Sequence, residues 1–165
     1  MRQLLIFALG LLFISTTGAT ENQLIDFNIK DQFGEEYNQD SFDEAYILVL
    51  GADRKGSQYT DQWGPTLADS LKKEGHIDSV EFVALANLQS VPGMMKGMVK
   101  GFFPKEKENW VLLDWDGEFD QAYDFVENKC NILLFDRERN LLVHEAVTDY
   151  NAETAERILN IIKFE

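Results

Sequence analysis

The hydrophobic positions change period along this chain, and the changes divide it into short strands and helices. Ile25, Phe27 and Ile29 alternate with polar residues, which predicts a half-buried strand. Asp31-Gln-Phe-Gly34 then turns the chain, with Gly34 free to take a positive φ. Ser41-Phe-Asp-Glu44 predicts a short turn or helix. Tyr46-Ile-Leu-Val-Leu50 is a continuous apolar run ending at Gly51-Ala52, as a buried strand should. A polar loop, Asp53 to Gln58, follows. Trp63, Leu67 and Leu71 then recur every fourth residue, predicting a helix that ends near Lys73 with Gly75 as its breaker.

Val80 to Ala86 predicts a strand, with Asn87 to Gly93 as its exit loop. Met94, Met95, Met98, Val99, Phe102 and Phe103 are spaced for a short helix, loosened by Gly93, Gly97 and Gly101. Beyond the charged loop Pro104–Glu108, a strand is expected at Trp110–Leu113 and a tight turn at Asp114–Gly117. One or two helical turns follow at Glu118–Phe125. Ile132–Phe135 and Leu141–Val143 form a strand pair around the turn Asp136–Asn140. Asn151 caps a last helix with Ala155, Ile158, Leu159 and Ile162 on one face. There is no repeat, linker or low-complexity tract. The order β-β-α-β-α-β-α-β-β-α predicts one α/β domain built in three layers.

Length allows a sizeable core: the chain has 165 residues. Its first 19 read as a signal peptide, leaving 20–165 as the domain. Arg2 supplies the positive start, Leu4–Ile14 the apolar run, and Thr17-Gly18-Ala19 the small residues of a cleavage site. The run falls short of the roughly 20 apolar residues that span a bilayer, which disfavours a retained anchor. No cysteine stands at the cleavage point, which disfavours a lipid anchor. Without Arg2 the 15 basic residues fall to 14 against 29 acidic, a net charge of −15. So acidic a surface repels nucleic-acid backbones and anionic membranes. Cys130 is the only cysteine, so no intramolecular disulfide can form and the core alone must hold the fold.

Several of these segments, taken in order, carry a family resemblance. The opening Phe27-Asn-Ile-Lys-Asp-Gln-Phe-Gly34 followed by Tyr37 resembles the N-terminal hairpin of redoxins. Tyr46–Leu71 resembles the strand–loop–helix that presents a reactive cysteine at a helix N-terminus. Val111–Tyr123 and Asn131–Asp136 resemble the later redoxin pattern of an aspartate-glycine turn and a following strand. The chain is thus similar, over roughly residues 24–164, to the redoxin branch of the thioredoxin superfamily, which includes alkyl hydroperoxide reductase and thiol-specific antioxidant proteins. The resemblance implies a thioredoxin-like three-layer α/β/α sandwich with a central mixed β-sheet. It also likens the chain to small exported bacterial proteins that keep this fold without catalytic cysteines. Two departures stand out. Lys55-Gly-Ser-Gln58 occupies the place of a Cys-Gly-Pro-Cys motif, and Cys130 stands where the superfamily usually has a cis-proline.

Each candidate site has a plainer reading beside it. Cys130 is either a single nucleophile or a mixed-disulfide partner for a client protein, activated by Lys129 or Lys55, or else a buried, inert cysteine, which the general tendency of free cysteines favours. Asp53–Ser57 at a helix start either holds an anion or is a solvated loop. Asp114, Asp116, Glu118 and Asp120 crowd a turn but lack the spacing of a calcium loop, so a solvated turn is expected. Met94, Met95 and Met98 offer soft ligands for Cu(I), but at helical spacing beside Phe102 and Phe103 they read better as core filler. His76 and His144 lie in unrelated elements and give little support for a zinc site or triad. Trp63, Trp110 and Trp115 with Phe102 and Phe103 either line a peptide groove or pack the core.

The sequence therefore reads as an exported, non-catalytic thioredoxin-like protein with a binding or accessory role in the cell envelope, in the periplasm by resemblance, with full secretion as the alternative. Its groove would consist of Lys55, Gly56, Ser57, Gln58 and Asn131, beside Cys130, and would receive an unidentified protein or peptide. No cofactor, resident metal, nucleic acid or stable membrane insertion is expected. The alternative is a thiol-dependent antioxidant or peroxidase acting through Cys130, and a metal or anion carrier stands third.

Overall fold

The structure, a computed structural model, describes residues 22–42 and 45–164. The expected signal peptide, 1–19, lies outside the described residues, as do Asp43 and Glu44 of the predicted turn. In chain order the elements are β1 (Asn28–Lys30), β2 (Glu36–Asn38), β3 (Tyr46–Ala52), α1 (Ser57–Glu74), β4 (Val80–Asn87), α2 (Lys96–Lys100), β5 (Leu112–Asp114), α3 (Glu118–Tyr123), β6 (Cys130–Phe135), β7 (Leu141–Val147) and α4 (Ala152–Phe164). The hydrophobic pattern predicts this order except for β2, where Tyr37 is only half-buried and leaves no alternation to read.

β3 is the middle of a five-stranded sheet ordered β5-β4-β3-β6-β7. It pairs parallel with β4 and antiparallel with β6, while β5 is parallel to β4 and β7 antiparallel to β6. All seven of its residues are buried, because both faces of the sheet are covered. Tyr46, Leu48 and Leu50 join Cys130, Ile132 and Leu134 of β6 beneath α1 and α4, which contribute Trp63, Leu67, Leu71, Ile158 and Ile162. Ile47 and Val49 face the other way, with Val83, Leu85, Leu133 and Phe135. That side is covered by Leu24, Phe27, Ile29 and Phe42 of the N-terminal segment and by Phe119 and Tyr123 of α3. The result is the expected mixed sheet between two covering layers.

Helix boundaries follow local chemistry. Gly75 ends α1 at φ 80°, the left-handed conformation that favours glycine. Asn151 Oδ1 accepts the Thr154 N–H at 3.0 Å and so caps α4.

Four expectations need correction. First, the alternation at Ile25–Ile29 overstates the opening strand. Residues 22–24 run beside the β6–β7 turn instead, where the Leu24 N–H donates to the Arg139 carbonyl and the Leu141 N–H to that of Asn22. Tyr123 Oη then fixes the segment by donating to the Gln23 carbonyl at 2.8 Å and accepting from the Ile25 N–H at 2.9 Å. Second, β5 starts at Leu112, since the Val111 N–H is taken by Gln32 Oε1 at 2.8 Å and Trp110 stacks on Tyr37 at 4.7 Å.

Third, the acidic turn is not simply solvated. Asp114 is buried, and its carboxylate accepts the N–H groups of Gly117 at 2.8 Å, Glu118 at 3.0 Å and Phe119 at 3.0 Å at the start of α3. Fourth, the methionines are not core filler. Met94 is 95% exposed, Met98 63% and Phe102 80%. The two clusters already cover both faces of the sheet, so α2 has no apolar surface left to bury against.

The contrast is measurable. Leu67→Ala should cost about 2–5 kcal/mol in a denaturant titration, as a cavity in the core does. Met98→Ala should stay within about 0.5 kcal/mol of the parent.

Candidate functional site

β3, β4 and β5 run toward one edge of the sheet, and antiparallel β6 begins there. The loops after β3 and β4, the turn after β5 and the loop before β6 therefore lie at the same end. In open α/β sheets this carboxyl edge is where ligands bind. Lys55, Gly56, Ser57, Gln58 and Asn131 lie at this edge, with Cys130 next to Asn131 at the start of β6.

Asp53 organises the edge. Its Oδ1 accepts the N–H groups of Lys55 at 2.9 Å and Gly56 at 2.7 Å, and its Oδ2 accepts the Asn128 N–H at 2.8 Å. The Asp53 carbonyl accepts the Ser57 N–H at 3.0 Å. The amides proposed for an external anion are thus occupied by the chain's own carboxylate and carbonyl, and the anion reading of this loop is overturned. The same carboxylate ties the loop before α1 to the loop before β6.

The two loops also meet directly. A Cβ on Gly56 would run into the Lys129 carbonyl, and one on Gly51 into the ring of Phe125. Asn131 is buried and locks the second loop from beneath. Its Oδ1 accepts the Val126 N–H at 2.8 Å, and its Nδ2 donates to the Val126 carbonyl at 3.2 Å and the Gly51 carbonyl at 3.4 Å. Of the expected groove residues, Gly56 and Asn131 are consumed in holding backbone. Lys55, Ser57 and Gln58 are exposed, although Ser57 Oγ and Gln58 Nε2 donate to the carbonyls of Arg54 and Lys55.

What space remains is a cavity of about 80 Å³ between Asp53, Asn87, Asp120, Phe125, Glu127 and Asn131. That is enough for ordered water and far below the roughly 300–1,000 Å³ of a ligand-binding cleft. Among the described residues no cluster of three or more His, Cys, Asp or Glu side chains is placed to hold a metal ion.

Cys130 is the neighbour of Asn131, and strand alternation turns it to the opposite face. It is 0% exposed and packs in the cluster beneath α1 and α4. Burial pushes its thiol up to about 12. At pH 7 only about one thiol in 10⁵ is then ionised. Lys55, offered as its activator, lies at the exposed rim, and Lys129 is half-buried.

Sequence reasoning missed the bridge from Asp53 to Asn128 and the insertion of Phe125. An aspartate three residues before Gly56 is a signal for a turn closed by its own side chain. Nothing local points to Asn128, whose partner lies 75 residues away.

No protein-family model matches the chain, and no curated protein matches its sequence. Solved structures do. The exposed lipoprotein thioredoxin of Streptococcus pneumoniae has 17% identity over 84% of this chain and 98% of that one, with a TM-score of 0.60. A SCO1/SenC family lipoprotein of Bacillus anthracis has 12% identity over 87% and 94%, at 0.58. Peroxiredoxin Q of Xanthomonas campestris has 11% identity over 84% and 90%, at 0.59. The fold is therefore thioredoxin-like. The chain has one cysteine, and that one lies in the core, so this fold carries no pair of thiols here.

Cys130 should resist a water-soluble thiol reagent at pH 7 until denaturant is added. Its pKa rises from an ordinary 9.0 to about 12 on folding, so the unfolded chain loses the proton first. This contribution to stability is whole below pH 9 and declines as pH rises from there toward 12, and Cys130→Ala should flatten the decline. Asp53→Ala should cost about 1–3 kcal/mol. It should also strip hydrogen-exchange protection from the amides of Gly56 and Asn128.

Proposed function

We propose that the protein is an exported, non-catalytic thioredoxin-fold protein that serves as a binding or accessory component of the cell envelope, in the periplasm. One observation carries the reading: the only thiol is sealed in the core, with its ionisation suppressed by burial. Thiol chemistry needs an accessible thiolate. The Asp53 bridge supports the same view, because it fills with internal bonds the place where a redoxin receives its substrate. The sequence features of a signal peptide support export, as does the likeness to lipoproteins of the same fold. No described helix is long and apolar enough to cross a membrane.

The exposed rim residues Lys55, Ser57 and Gln58 belong to the binding face in this reading. Gly56 and Asn131 support it from below. A protein or peptide is the expected occupant, since the closed edge offers a surface rather than a pocket.

The test is consumption of hydrogen peroxide and reduction of a protein disulfide by the purified, reduced protein, beside Cys130→Ser. Both proteins are expected to be equally inert. Peroxide consumption lost in Cys130→Ser would instead establish a one-cysteine antioxidant and remove the binding reading.

A further inference from the structure

The protein divides its sulfur between two extremes. Its one thiol, Cys130, is 0% exposed beneath α1 and α4. Its thioethers lie outside. Apart from Met1, the methionines of the sequence are Met94, Met95 and Met98, which are 95%, 40% and 63% exposed. Among the described residues no methionine belongs to either core cluster. That reverses the common assignment, in which methionine fills gaps in a core.

All three thioethers sit on one side of one segment. A tight turn at Gly93–Met95 leads into α2, and the chain then runs on to Phe103. Lys96, Val99 and Phe103 are half-buried and form its inner side, with the Lys96 ammonium over the Trp115 ring at 4.9 Å. At about 3.6 residues per turn, Met94, Met95 and Met98 fall on the other side, toward water. Gly93 and Gly97 add no side chain beside them, and a Cβ there would meet nothing within 4 Å. Among the described residues no hydrogen bond reaches any of the three sulfurs. Small solutes therefore reach these sulfurs without any opening of the fold.

We propose that Met94, Met95 and Met98 form an oxidant-accepting site, which takes up hypochlorous acid as methionine sulfoxide while the fold and Cys130 stay intact. In each reaction the thioether sulfur takes chlorine from the oxidant and hydroxide departs. Water then gives its oxygen to the sulfur as chloride leaves. The sulfur loses two electrons to the chlorine, so one thioether and one hypochlorous acid yield one sulfoxide, one chloride and one proton. Hypochlorous acid is electrophilic enough to attack a thioether unaided. A peroxide reacts faster when an acid protonates its departing oxygen, and the chain has no carboxyl or histidine side chain between Glu81 and Glu106. In a core, a sulfoxide would set a polar group among apolar neighbours and disrupt packing. Here it meets water instead. Cys130 competes poorly, being sealed and held as the neutral thiol by burial. The change also turns an apolar ridge polar, and sulfoxide reduction restores it. This site is independent of whether the carboxyl edge receives a partner.

The test is a titration of the purified protein with hypochlorous acid at neutral pH, followed by peptide mass spectrometry. The first oxygen atoms are expected on Met94, then Met98, then Met95, in the order of their exposure. Cys130 and Trp63 should remain unmodified, with circular dichroism and the thermal midpoint unchanged. A methionine sulfoxide reductase with a dithiol should then remove the added oxygens. In Met94→Leu/Met95→Leu/Met98→Leu, which keeps the ridge apolar, the same dose should fall on indole and amine side chains that the parent spares. Hydrogen peroxide at that dose should leave the sulfurs unchanged over the same minutes. Oxidation of Cys130 or Trp63 ahead of the ridge, or a lowered midpoint once the ridge is oxidised, overturns the proposal. Equal damage elsewhere in parent and triple variant removes the accepting role, and equal uptake from peroxide overturns the choice of oxidant. Peroxide consumption that depends on Cys130 would instead remove the non-catalytic reading and leave this site standing.

Discussion

The Asp53 carboxylate is the constraint on which the functional end of this molecule depends. It spans two loops that are distant in sequence and accepts three backbone N–H groups. Hydrogen bonds to a charged acceptor are roughly twice as strong as neutral ones, although water can take over the exposed amides of Lys55 and Asn128 when the carboxylate is lost. With that carboxylate in place, the loop before β6 lies directly on the start of α1, and the glycine at 56 is required by the contact. Phe125 and Asn131 then complete the closure against Gly51. The backbone donors of this edge are spent internally.

Strand parity decides what lies beneath that closure. Successive residues of β6 alternate between the faces of the sheet, so Cys130 and Asn131 receive opposite environments although they are neighbours. The amide goes to the edge, where each of its polar atoms finds backbone partners. The thiol goes under α1, among Leu50, Trp63 and Ile132, where it behaves as a small hydrophobe. A shift of one residue in the register of β6 would exchange the two and bring the sulfur to the rim. The burial of the thiol is therefore a property of the sheet as a whole. It is not set by the lysines near it in sequence.

Much of the architecture was legible because it is periodic. Trp63, Leu67 and Leu71 mark one face of α1, the run at 46–50 marks a strand covered on both sides, and Gly75 marks a stop. Elements set by long-range partners were harder to read. The start of β5 depends on Gln32, and the path of residues 22–25 depends on Arg139 and Tyr123, none of them close in sequence. The residues named for a site from the sequence fall at one edge of the sheet, yet the bond from Asp53 to Asn128 that closes that edge leaves no local trace. The methionines show the limit of periodicity most directly. Helical spacing of apolar residues implies a core face only if some surface remains to be covered, and here both faces of the sheet were already taken.

Exposed thioethers and an acidic surface make sense together. An apolar ridge left bare in water invites self-association. A net charge of −14 opposes it, because copies repel one another at distances where the ridge exerts no attraction. The repulsion is screened over about 8–10 Å, so it acts on encounter and fades in importance once surfaces touch.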